Sequence, residues 1–157
     1  MGKFLFAFSA VVLLFCNSCT EQVTPTPYTY TKVFTGENSK TWKVKFLEYT
    51  LDGKVDETFN LTCDANHLYT FYANSERAFE VVAGSNKCTT DEADKITDTW
   101  SFNNASATLT MILPFFTDSS LPFIVRDARK SKLELEFFLD EENTTSYRIH
   151  FEVTKEN

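Results

Sequence analysis

The chain has 157 residues and sets 15 Lys and Arg against 22 Asp and Glu, a formal net charge of −7 at pH 7. An acidic chain with no basic cluster does not invite nucleic acid or anionic lipid surfaces. Hydrophobic residues make up 43% of it and 16 are phenylalanine, enough to build a packed core and to exclude a wholly disordered chain.

The N-terminus carries one positive charge, Lys3, followed by an apolar run over residues 4–15 broken only by Ser9, and then by small and polar residues. This is the layout of a secretory signal peptide. The run is too short to remain in a bilayer as a spanning helix, which takes about 20 apolar residues. With a cysteine at its end it resembles a bacterial lipoprotein signal, cut just before a cysteine that has received a diacylglycerol. Ser18 supplies the small residue before the cut and Cys19 the lipidated thiol; Cys16 in the usual aliphatic position and Asn17 depart from the pattern. The resemblance implies a signal peptide over residues 1–18 and a membrane anchor at Cys19. Thr20 after the cysteine, in place of aspartate, implies sorting to the outer membrane, facing either the periplasm or the cell surface. A plain secreted protein cut nearby is the alternative. Two acyl chains anchor stably where one is marginal.

Residues 19–39 read as the lipidated cysteine and a Pro/Thr tether, since Pro25 and Pro27 forbid helix and favour extended geometry. Its later part, residues 28–34, is expected to pack on the domain as an extra strand. Residues 40–157 then form one domain with one core. Loss of the signal removes Lys3 and takes the formal charge to −8. Cys16 leaves with the signal and Cys19 carries lipid, so Cys63 and Cys88 remain as an even pair in an oxidising compartment. A disulfide between them is expected, worth roughly 3 kcal/mol for a loop of this size. The competing metal site needs histidine pairs that this sequence does not place nearby.

From Trp42 onward the pattern has period two. Trp42, Val44 and Phe46 alternate with Lys43 and Lys45, and Trp100 and Phe102 with Thr99 and Ser101. Leu133, Leu135, Phe137 and Leu139 alternate with Glu134, Glu136 and Asp140, and Tyr147, Ile149, Phe151 and Val153 with Arg148, His150 and Glu152. Such alternation marks half-buried antiparallel strands. Strands are expected near residues 41–49, 55–61, 67–73, 77–83, 97–103, 106–113, 121–127, 131–139 and 145–154, with turns built on Asp52-Gly53 and Asn103-Asn104. No helix longer than two turns is expected. The fold class is all-β: an antiparallel up-and-down barrel of eight or nine strands, with a β-sandwich as the alternative.

In order and spacing these residues resemble the lipocalin-like domains of bacterial outer-membrane lipoproteins. Trp42 opens the first strand, Cys63-Asp64-Ala65-Asn66 precedes the strand at residues 68–71, and Cys88 closes the next hairpin. Asp98-Thr99-Trp100-Ser101-Phe102 then leads through Asn103-Asn104 into the strand at residues 108–111, and the sequence at 133–136 pairs with an aromatic terminal strand. The resemblance covers about residues 40–154. Lipocalins proper have glycine two residues before the first tryptophan, where this chain has Lys40; Arg148 is the candidate for the cation that usually caps that tryptophan.

No motif for catalysis is present: no phosphate loop, nucleophile elbow or HExxH. His67 and His150 lack metal spacing and read as solvated or hydrogen-bonded side chains. Glu134, Glu136 and Asp140 on one strand face read as solubility, and residues 91–94 as a solvated acidic loop. The expectation is a non-enzymatic protein with no cofactor and no metal. An eight-stranded barrel is either filled or just wide enough for one small ligand. The inward residues that would line such a pocket are Trp42, Phe71, Trp100, Phe102, Met111, Phe123, Phe137, Tyr147 and Phe151. The resemblance thus implies an exported, lipid-anchored protein that binds a small hydrophobic ligand. The alternative is an accessory lipoprotein with a filled barrel that contacts an envelope protein; Phe115-Phe116 after Pro114, which alternation cannot bury together, would serve that contact.

Overall fold

The computed structural model describes residues 30–60, 66–87 and 90–157. A short helix, α1 (Tyr30–Thr35), is followed by ten antiparallel strands. These are β1 (Ser39–Leu51), β2 (Lys54–Phe59), β3 (Leu68–Tyr72), β4 (Ala78–Val82), β5 (Lys95–Thr99), β6 (Ser101–Asn103), β7 (Thr108–Ile112), β8 (Ser120–Ala128), β9 (Lys132–Phe138) and β10 (Thr145–Glu156). They form one sheet in the order β5-β4-β3-β1-β10-β9-β8-β7-β6.

The two ends of that path, β5 and β6, are separated only by Trp100. One stretch of chain therefore pairs with β4 and then with β7, bending the sheet into a nearly closed barrel. The sequence predicts a single strand over residues 97–103; the break falls where the chain changes partner. Trp100 holds it there, its backbone N–H donating to the Arg77 carbonyl at 2.9 Å and its indole N–H to the Tyr72 carbonyl at 3.3 Å. On the other side, β1 pairs with β3 over residues 39–42 and with β2 over residues 47–51. β2 and β3 thus share one place, giving eight positions around an up-and-down barrel rather than two facing sheets.

β1 keeps an apolar inner face along its length by means of a bulge. Trp42 and Val44 point inward; the register then shifts between Val44 and Phe46, so Leu47 takes the next inner place opposite Ile149. An extra residue reverses the facing of everything after it. Phe46, which simple alternation places beside Trp42 and Val44, lies on the outer face and stacks on His150 at 4.1 Å.

The barrel has a base and a mouth. The base holds the start of β1 and the turns at residues 73–77, 104–107 and 129–131. The mouth holds the turns at 52–53, 113–119 and 139–144, with residues 83–87 and 90–94. Asp52 and Gly53 join β1 to β2 with φ of 50° and 72°, a pair of left-handed residues whose twist suits a tight hairpin.

Residues 30–35 are helical, against the expected extra strand. A strand would bury one of the adjacent residues Val33 and Phe34, whereas the end of α1 buries both. Gly36, at φ 62°, ends the helix with its N–H on the Lys32 carbonyl at 2.9 Å. Phe34 plugs the base, its ring 5.1 Å from Phe102, 5.9 Å from Trp100 and 6.2 Å from Phe71. Its carbonyl accepts the Trp42 indole N–H at 2.9 Å.

Lys40, the residue standing where a glycine was expected, is 2% exposed. Its ammonium lies 5.4 Å over the Trp42 ring, donates to the carbonyls of Val33 (3.0 Å) and Lys130 (3.1 Å), and pairs with Glu156 at 3.4 Å. The cation over the tryptophan is thus Lys40. Arg148, the sequence's candidate, instead faces Glu134 and Glu136 on the outer surface.

Candidate functional site

Burial and ring contacts sort the nine inward residues into groups. Trp42, Phe71, Trp100 and Phe102 gather at the base around Phe34, with Phe71 and Trp100 edge to face at 5.7 Å. Met111, Phe123 and Phe151 are buried in the middle tier, where Tyr69 meets Phe151 edge to face at 5.6 Å. Phe137 and Tyr147 stand higher and are only half-buried. The lower half of the barrel is therefore packed with side chains, and the predicted lining set splits: four residues form the plugged floor and two reach the mouth.

At the mouth, the turn between β7 and β8 contributes the ring pair that alternation could not bury. Its backbone is fixed by hydrogen bonds from the Phe116 and Thr117 N–H groups to the Leu113 carbonyl at 2.9 and 3.1 Å. Phe115 and Phe116 contact each other at 4.3 Å, and Phe116 lies 5.5 Å from Tyr147 and 6.1 Å from Phe137. Tyr49 completes the group, 5.6 Å from Tyr147. Above these rings the inner-face positions continue with Leu51 and Leu139, which are 46% and 47% exposed. The Asp52 N–H donates to the Thr144 carbonyl at 2.7 Å and ties the two hairpins that carry these leucines. Beside Phe115 lies a cleft of about 400 Å³ lined by Ile96, Ala93, Pro114 and Phe115 with Asp91, Glu92 and Asp118.

His67 is buried and its Nε2 meets the Glu92 carboxylate, so the 91–94 loop is pinned at Glu92 rather than freely solvated along its whole length. Asn66 and Gly84 are in intimate contact: a Cβ on Gly84 would stand 2.5 Å from the Asn66 Cβ. Gly84, just after β4, is thereby held against Asn66, just before β3. Cys19, Cys63 and Cys88, the expected lipidation and disulfide residues, lie outside the described residues.

A second cluster, which sequence reasoning reads as surface charge, occupies the outer face of β1, β10, β9 and β8. Glu136 is 3% exposed and accepts hydrogen bonds from Ser146 Oγ at 2.7 Å, Arg126 Nε and Arg148 Nη2 at 3.4 Å. Burial alone would raise its pKa, but the bonds from Ser146 and Arg126 and the charges of Arg126 and Arg148 outweigh that and hold it below the usual carboxylate range. His150 Nε2 lies 3.0 Å from Glu48 and its Nδ1 3.6 Å from Glu134, while Glu134 also takes Lys132 at 2.9 Å. Each acid in this cluster is matched to a base across neighbouring strands. That arrangement ties neighbouring strands of the sheet together. Among the described residues no group of three or more His, Cys, Asp or Glu could hold a metal ion.

No protein-family model matches the sequence, and no curated protein does.

Proposed function

We propose that the chain is an exported, lipid-anchored, lipocalin-like binding protein, without enzymatic activity, that takes a small apolar ligand at its mouth. The observation that carries this reading is the exposure of Leu51 and Leu139 on inner-face positions, above half-buried Tyr49, Phe116, Phe137 and Tyr147. Inner positions of a small barrel that is filled to the top would be covered; here the apolar surface continues past the packing. Burying the two leucines under a ligand would gain on the order of 1–2 kcal/mol each, at about 25 cal/mol per Å² of apolar area. The closed base directs entry to the mouth. The anchor rests on the sequence alone, through Cys19.

Native mass spectrometry of the mature chain with Cys19→Ser tests the reading. A stoichiometric extra mass that disappears on organic extraction, together with saturable uptake of an added decyl-chain probe, is the expected result. A bare polypeptide that takes up no probe would turn the function to the second reading, an accessory protein of the envelope. The packed base favours that second reading, since it leaves the barrel little interior to offer. For the anchor, the wild-type chain should fractionate with membranes and Cys19→Ser with the soluble fraction.

A further inference from the structure

The charged groups of this barrel are not evenly spread along its axis. The mouth carries Asp52, Asp91, Glu92, Asp94, Asp118, Asp140, Glu141 and Glu142 on its turns. The two lysines that flank residues 90–94 are already engaged. Lys87 donates to the Glu92 carbonyl at 2.8 Å and pairs with Asp94 at 2.6 Å, and Lys95 pairs with Glu80 at 2.6 Å. Asp91 and Asp118, which flank the cleft beside Phe115, are exposed and have no ion-pair partner among the described residues.

Ile96, Pro114 and Phe115 line the same cleft, and Phe115 continues through Phe116 into the ring group of the mouth. An apolar wall edged by two unmatched carboxylates is complementary to a molecule with an apolar body and a positive head. A fatty acid would bring its own carboxylate into a negative field, and a neutral alcohol would leave that field unused. The Phe115 ring adds a face on which an ammonium group is attracted.

Resting on the mouth-binding reading above, we propose that the ligand is a cationic amphiphile, its apolar part on Phe115, Phe116 and the rim leucines and its ammonium between Asp91 and Asp118. Attraction to each exposed carboxylate at contact distance is worth about fivefold in affinity in water at low salt, and less at physiological ionic strength.

The test is titration calorimetry of the mature Cys19→Ser chain with three probes of equal chain length: decyltrimethylammonium, decanol and decanoate. Decyltrimethylammonium should bind about tenfold more tightly than decanol, and decanoate weakest of the three. Asp91→Asn with Asp118→Asn should remove most of that preference and leave decanol unchanged. Glu37→Gln with Glu76→Gln, the same change in net charge placed at the base, should leave it intact. Equal affinity for all three probes overturns the charge assignment while the mouth-binding reading stands. An equal loss in the base variant overturns it too, because the preference would then come from the overall charge. If no probe binds, both readings fall together.

Discussion

Replacing Phe34 with alanine tests whether α1 is part of the barrel or an ornament on it. Phe34 is fully buried, and its ring touches Phe71, Trp100 and Phe102. Emptying such a site costs about 3–5 kcal/mol through lost transfer energy and the cavity left behind. Three ring contacts, each worth about 0.5–1.5 kcal/mol beyond burial, push toward the upper end; a one-turn helix near the start of the domain can settle into the gap, which pulls the other way. A loss of about 3–4 kcal/mol is expected, or a fall in Tm on the order of 10 °C. Urea unfolding followed by tryptophan emission reads it directly, because Trp42 and Trp100 both contact Phe34. The midpoint should drop with an unchanged slope, and Phe34→Leu should recover all but about 1.5 kcal/mol. Binding of decyltrimethylammonium at the far end should survive in the folded variant, since the middle tier of Met111, Phe123 and Phe151 stands between. A loss below about 1 kcal/mol would refute the plug.

Glu136 makes stability depend on acid. Its carboxyl titrates lower in the fold than in the open chain, so its contribution is complete above about pH 4.3, the unfolded value, and fades as pH falls through the lower folded value. Urea midpoints should decline between pH 5 and pH 3, and Glu136→Gln should show a shallower decline and a loss of about 1–3 kcal/mol at pH 7, from arginines left without their acid. Identical acid slopes in the two proteins would sink this account. Lys40→Met should cost about 2–4 kcal/mol because the Val33 and Lys130 carbonyls lose their buried donor; a neutral or stabilised variant, measured by thermal melting, would show that the ammonium contributes nothing there. Cys63 and Cys88 lie three and four residues along the chain from Asn66 and Gly84, which touch. The mature chain should weigh two mass units less than its all-thiol form, and reductant should remove about 3 kcal/mol; melting that ignores dithiothreitol would count against the bridge.

The strands were legible because alternation is a local signal. Leu133, Leu135 and Phe137 announce β9, and the burial of the first two with Glu134 turned outward follows from the pleat. What alternation cannot register is a bulge. One extra residue at Lys45 sends Phe46 to the outside, and the change is visible only in how β1 pairs with β10. Nor can it show the partners of an outward residue. Glu136 looks like any surface acid in its own strand. It is buried because Arg126, from a bulge in β8, and Arg148, from β10, reach it across two strand pairs. Val33-Phe34 misled for a related reason: two adjacent buried residues are the signature of a helix turn, too short here to have a period.

The site was half legible for a geometric reason. Parity assigns a residue to a face, but function in a barrel depends on height along the axis, and height is set by register and strand tilt together. Trp42 and Tyr147 share the inner face, yet one lies on the plugged floor and the other under the open rim.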